Sequence, residues 1–252
     1  MNIGTALLAA IIGYLSGSIS YAVLVTRLVA PEGKLGKIRI SVPDSDVQIE
    51  SDSISATTVR LQLGARYGFL VSILDMAKAV VPALIFKLLY PESSYYLIAA
   101  GMTVVGHNWP IFHRFHGGRG LSSVLGGMFV IDWVGLLITN LIGAAFGIWR
   151  KNSLLMTGGG ILLMIPWLWL FKQDTAVVVY AIAVNILFWI AMIPEIKQMR
   201  AMKESGNIEQ FQNATHLNVV GVDGSERVDD ITIPALRQKI GAWWREKISS
   251  KA

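Results

Sequence analysis

Seven stretches of the chain are almost wholly apolar, at about 3–29, 67–90, 95–112, 120–131, 133–149, 153–171 and 175–193, and polar residues gather between them. Runs this long and this poor in charge read as membrane-spanning helices. The pattern therefore predicts an all-α, polytopic membrane helix bundle. The stretch 120–149 reads either as one long helix or as two short ones broken at Asp132-Trp133. Lysine and arginine choose between them, because short cytoplasmic loops carry the excess of both. With two helices, one side holds Arg27, Lys34, Lys37, Arg39, Arg60 and Arg66, then Arg114, Arg119, Arg150 and Lys151, then Lys197, Arg200 and Lys203. The other side holds essentially Lys172. A single helix would carry Arg150 and Lys151 to the wrong side. About seven transmembrane helices follow, with the N-terminus outside and the C-terminus cytoplasmic. The fourth is short for a bilayer of about 30 Å, so it lies within the bundle or tilts.

Two polar segments interrupt this pattern. Residues 31–65 form a cytoplasmic loop whose "KIRISVPDSDVQIESDSIS" alternates partly as strands do, which suggests a small β-hairpin. The chain divides into an integral membrane domain, 1–196, with that loop inserted, and a cytoplasmic tail, 197–252. In the tail, Ile233, Leu236, Ile240, Trp243 and Trp244 fall near one face of a possible amphipathic helix. Such a helix lies on the membrane surface or packs against protein; the pattern leaves both open.

Composition agrees. Of 252 residues 53% are hydrophobic and only 15% charged, against about 25% charged in a soluble domain. The first apolar run resembles a signal peptide, but it lacks a positive n-region and its first basic residue is Arg27. It reads as an uncleaved first span. There are no cysteines, which excludes disulfides and thiolate chemistry. The net charge of +5 suits an anionic partner such as a lipid headgroup or phosphate and gives little reason to expect nucleic acid.

Chemistry concentrates in "GHNWPIFHRFHGGRG", residues 106–120, with three histidines, two arginines and four glycines. Gly117, Gly118 and Gly120 permit a backbone whose N–H groups converge, and Arg119 and the start of the next helix add positive charge. This predicts a phosphate site, although a tight turn with glycines kept for packing explains the same residues. The spacing is not that of a Walker loop. His107, His113 and His116 have no acidic or thiol companion in the segment, so no metal site is expected. Asp75 and Lys78 share a helical face within an apolar span, as a structural ion pair or as functional charge. Asn140 and Asn185 read as interhelical hydrogen-bonders.

These residues resemble the bacterial membrane glycerol-3-phosphate acyltransferases of the acyl-phosphate-dependent PlsY type. The segment 106–120 is similar to that family's second signature, a G-H-x-aromatic-P run followed by G-G-[KR]-G. "GYLSGSIS" resembles its first-span G-S-I-P, and "ISATTVRLQLGARYGFLVSILDMAKA" resembles its first cytoplasmic signature followed by D-x-x-K. The resemblance implies transfer of an acyl group from acyl phosphate to the 1-hydroxyl of glycerol 3-phosphate, giving lysophosphatidate. It implies no cofactor, a bacterial cell membrane and a cytoplasmic active face. Membrane lipids are expected neighbours, and protein partners are unknown. Carried over residue by residue, it makes Ser51, His107 and Arg119 catalytic. Thr57, Gly117, Gly118, Gly120, Lys78 and Arg60 would bind substrate phosphate, and Asp75 would serve in the ion pair.

The chain also departs from the pattern. The family's S-G-N-I-G-A-T-N reads "SDSISATT" at 51–58, with Asp52, Ser53, Ser55 and Thr58 in the changed places. Asp52 brings negative charge towards phosphate. Leu61 stands at the position of the family arginine, with Arg60 one residue and about 100° away on a helix. The third signature, a His and an Asn after the last span, reads as Met192 and Glu195. These losses motivate the alternative of a degenerate paralogue that binds a phosphate or lipid ligand or regulates a partner without turnover. The H-x-x-x-x-D acyltransferase pattern is not met, because the residues five after His107, His113 and His116 are Phe112, Gly118 and Leu121.

Overall fold

The computed structural model of the chain describes residues 2–31, 38–41, 48–51, 53–207, 217–220 and 226–229. Every apolar stretch in the sequence is helical. The first is α1 (Ile3–Ser18) and α2 (Tyr21–Val29), separated by a short break at Ile19-Ser20 where Ser20 caps α2. After the polar loop come α3 (Ala56–Leu63), α4 (Ala65–Leu89), α5 (Tyr95–Asn108), α6 (Leu121–Trp149), α7 (Ser153–Phe171) and α8 (Thr175–Ala191). A shorter polar helix, α9 (Ile193–Glu204), bends away from α8 by 54°. By length and composition four described helical segments can cross a membrane, or five if α8 and α9 form one span.

The difference from seven has two sources. Helix α5 has 14 residues, about 21 Å at 1.5 Å each, which is short for a full crossing. The 29 residues of α6 are two helical halves joined at a kink, where Asp132 has φ −157° and ψ 91°. Asp132 then acts as an N-cap for the second half: its Oδ1 accepts from the Gly135 N–H at 3.0 Å. Its Oδ2 accepts from Trp167 Nε1 at 3.0 Å, with Lys172 Nζ 3.6 Å away. The break falls where the sequence placed it.

The main core lies among α5, α6, α7 and α8, around Val104, Met128, Ile161, Met164, Val184 and Phe188. Many other apolar side chains are exposed, among them Leu88, Leu141 and Phe171, as a lipid-facing surface requires. Helix α1 crosses α5 closely enough that a Cβ at Gly17 would overlap the Thr103 backbone, a small-residue contact typical of membrane helices.

Beside the bundle lies a four-stranded antiparallel sheet. The hairpin expected in the loop forms from β1 (Ile38–Ser41) and β2 (Gln48–Ser51). Two tail strands, β3 (Leu217–Val220) and β4 (Glu226–Asp229), extend it in the order β2-β1-β3-β4. Ile38 and Val219 bury themselves against Leu61 of α3. The tail therefore joins the inserted loop in one structure. The amphipathic stretch at 233–248 lies outside the described residues.

Candidate active site

A narrow cleft forms where α1, α4, α5 and two loops meet. Its floor is Asp75, Lys78 and His107, which are only 2%, 4% and 8% exposed. Lys78 Nζ lies 2.8 Å from Asp75 Oδ1 and also donates to the Ile19 carbonyl at 2.8 Å. The break between α1 and α2 frees that carbonyl from helical bonding. His107 Nδ1 sits 3.7 Å from Asp75 Oδ1, beyond hydrogen-bond reach, and has no partner although it is buried. Charges this deep in an apolar bundle are costly unless paired; the i, i+3 spacing on α4 supplies the pairing.

Over this floor lies the glycine-rich turn. The Gly118 N–H donates to the His107 carbonyl at 3.2 Å, and a Cβ on Gly118 would overlap the His107 ring. Gly120 has φ +82° and caps α6 with no side-chain bond to its first N–H groups. A Cβ there would strike Asn108 Oδ1, which is buried without a partner. The glycines therefore permit close packing on His107 and Asn108, and Gly120 leaves the start of α6 without a side-chain cap.

The second loop supplies hydroxyls. Ser51 Oγ is 3.3 Å from Ser53 Oγ, which is 3.2 Å from Ser55 Oγ and 3.3 Å from Thr58 Oγ1. Thr58 Oγ1 donates to the Ser53 carbonyl at 2.5 Å, and Ser55 caps α3. The Ile54 N–H donates to the Gly117 carbonyl at 3.3 Å, joining the two loops.

Among the residues expected to act, the structure gathers Lys78, Asp75, His107, Gly117 and Gly118 along the cleft. Ser51 ends β2 and does not line the cleft. Thr57 is exposed, and the buried threonine is its neighbour Thr58. Arg60 is on α3, where its Cα and Cβ pack against Gly68 of α4. Arg119 Nε donates to Glu195 Oε1 of α9 at 2.6 Å. Asp52 is outside the described residues. Sequence reasoning passed over Ser18, which accepts from the Ile111 N–H, and Ser53, Ser55 and Thr58 as a network. The alternating serines of "SDSIS" were the available signal.

A family model described as glycerol-3-phosphate acyltransferase matches residues 7–202. The chain belongs to the glycerol-3-phosphate acyltransferase family. Curated relatives of that name include proteins of Mycoplasma mycoides subsp. mycoides SC (32% identical over 171 residues, 64% of this chain and 61% of the relative) and Legionella pneumophila strain Corby (33% over 147 residues, 57% and 48%). Another is from Aquifex aeolicus (30% over 147 residues, 58% and 70%). The chain thus spans about half to three fifths of the first relatives it matches. Solved structures of PlsY, an integral membrane glycerol 3-phosphate acyltransferase, align at 25% identity over 80% of this chain and 93% of theirs. Their TM-scores are 0.64 for a lysophosphatidic acid form and 0.65 for a glycerol 3-phosphate form. Both the fold and the multi-pass membrane character follow from this kinship. The family region ends at residue 202, before β3 and β4.

Proposed function

We propose that this protein transfers an acyl group from acyl phosphate to the 1-hydroxyl of glycerol 3-phosphate and releases lysophosphatidate and phosphate. The carrying observation is the cleft in which the family's G-H and G-G-[KR]-G residues meet its D-x-x-K pair: His107, Gly117 and Gly118 face Asp75 and Lys78. Acyl phosphate is already activated, so positioning and charge stabilisation suffice. The acceptor hydroxyl oxygen bonds to the acyl carbon, the acyl carbon–oxygen bond to phosphate breaks, and the hydroxyl proton leaves with the departing phosphate. No covalent enzyme intermediate is needed.

In this reading Lys78, Arg119 and the uncapped start of α6 at Gly120 offer positive charge to phosphate, with Gly117 and Gly118 allowing close approach. Ser51 at the end of β2, and Thr57 and Arg60 on α3, would serve phosphate from the outer side of the cleft, and His107 contacts the reacting groups from the floor. Asp75 keeps Lys78 charged and oriented. The bundle crosses a bacterial cell membrane with seven segments, N-terminus outside, and the cleft opens to the cytoplasm among the basic loops. Residues 1–196 form the membrane unit and 197–252 the tail. Purified protein in lipid, given acyl phosphate and glycerol 3-phosphate, is expected to make lysophosphatidate. Lys78→Ala is expected to abolish it, and turnover by that variant at the wild-type rate would defeat the assignment.

A further inference from the structure

The family's third signature is missing from the sequence, and α9 occupies its place. Two side chains one turn apart on α9 reach the two loops that rim the cleft. Glu195 Oε1 accepts from Arg119 Nε at 2.6 Å, and Gln198 Nε2 donates to the Glu50 carbonyl at 2.7 Å. Their i, i+3 spacing puts both on one face of the helix. Arg119 directly follows Gly118, so a fixed guanidinium holds the turn that lies on His107. Glu50 directly precedes Ser51, so a held carbonyl fixes the strand end from which residues 53–58 depart. The Ile54–Gly117 hydrogen bond closes the circuit between the loops.

The ion pair differs from a solvated surface contact. Its side chains are 21% and 26% exposed, and the second Glu195 oxygen is buried without a partner. Short, charge-assisted contacts of this kind fix geometry. The helix is itself anchored at both ends by buried Met192 and Met202.

We infer that α9 is a clasp on the cleft, in which Glu195 and Gln198 are positioning residues that hold the Gly117–Gly120 turn and the Ser51–Thr58 loop in register. This rests on the reading of the cleft as a phosphate-handling site.

Hydrogen–deuterium exchange on the full chain in lipid nanodiscs tests the clasp without reference to turnover. Glu195→Ala is expected to speed exchange at 117–121, and Gln198→Ala at 48–58, while the floor around Asp75, Lys78 and His107 stays protected. Glu195→Asp restores part of the protection. In the acyl-transfer assay Glu195→Ala is expected to raise the KM for glycerol 3-phosphate by about tenfold, as loss of a charged hydrogen bond does, with kcat changing less. Wild-type exchange at both loops in the two alanine variants overturns the clasp. So does general loss of protection in Glu195→Ala combined with wild-type exchange in Glu195→Gln, because the charge then does not matter. A wild-type protein that turns nothing over defeats the proposed reaction and leaves the exchange result to decide the clasp.

Discussion

The floor of the cleft and its rim are built by different means. The floor is made by helices: α4 presents Asp75 and Lys78 on one face, α5 presents His107, and α1 crosses α5 through Gly17 to bring the Ile19 carbonyl to Lys78. Its charges are buried and paired within a packed bundle. The rim is made by loops held by scattered hydrogen bonds, the serine network at 51–58, the turn at 117–120 and the two contacts from α9. In the sequence, the floor residues match the pattern the chain resembles and the rim residues depart from it at several positions. A buried charge cannot be exchanged without stranding its partner; hydroxyls, amides and backbone groups at a partly exposed rim can replace one another at small cost.

The sharpest test of that contrast is Lys78→Met, which leaves the Asp75 carboxylate buried without its cation. A loss of about 3–5 kcal/mol is expected, read as a large fall in thermal unfolding temperature in detergent. Asp75→Asn combined with Lys78→Met should recover most of the stability and none of the turnover. Stability that survives in the single variant would show that the floor is not built on this pair.

Gly118→Ala should act where floor and rim touch. Its Cβ must displace the His107 ring, with an overpacking cost of about 1–3 kcal/mol and loss of acyl transfer from protein that still folds. A functional Gly118→Ala would mean that the turn does not need its close seat on His107.

At the rim, Leu61→Ala should cost about 2 kcal/mol by opening the small core with Ile38 and Val219. The loss should appear as faster exchange in the sheet, with acyl transfer retained. Thr58→Val should cost about 1 kcal/mol by removing the hydroxyl bonded to the Ser53 carbonyl. A collapse of the whole protein in either variant would contradict the division between floor and rim.

The smallest effect concerns His113, in the short 3-10 turn after α5. Burial, then the charges of Arg27 and Lys78, hold its pKa below the ordinary 6.5. The unfolded chain therefore binds this proton more readily than the folded one. The stability involved is fully present above pH 6.5, declines as pH falls below that value, and is lost once pH passes the folded pKa. Unfolding temperatures of His113→Gln measured across this window should depend less on pH than those of the wild type, and equal slopes would remove His113 from the account.

How much of this was legible depended on the range over which each feature is specified. The Asp132 break shows in the sequence because a charge and a cap residue interrupt an apolar run, and β1–β2 shows because alternation is local. Asp75 and Lys78 are one turn apart, so helical phase alone pairs them. The tail strands gave no such sign, because β3 meets β1 from far along the chain, Arg39 opposite Val220, and no local pattern encodes a partner. Arg119 and Glu195 are separated by 76 positions and brought together by the bend after α8. Thr57 and Thr58 are both plausible hydroxyl donors, and only the orientation of α3 turns Thr58 inward. What the Leu61 side chain packs against, Ile38 and Val219, shows only once the sheet is formed.

The most direct measurement is lysophosphatidate formation by purified wild-type protein in lipid, supplied with acyl phosphate and glycerol 3-phosphate, beside Arg119→Ala. The account predicts product from the wild type and a marked fall in the variant, since Arg119 joins the glycine turn to its support on α9. No product from folded wild-type protein, or equal rates from both proteins, would contradict it.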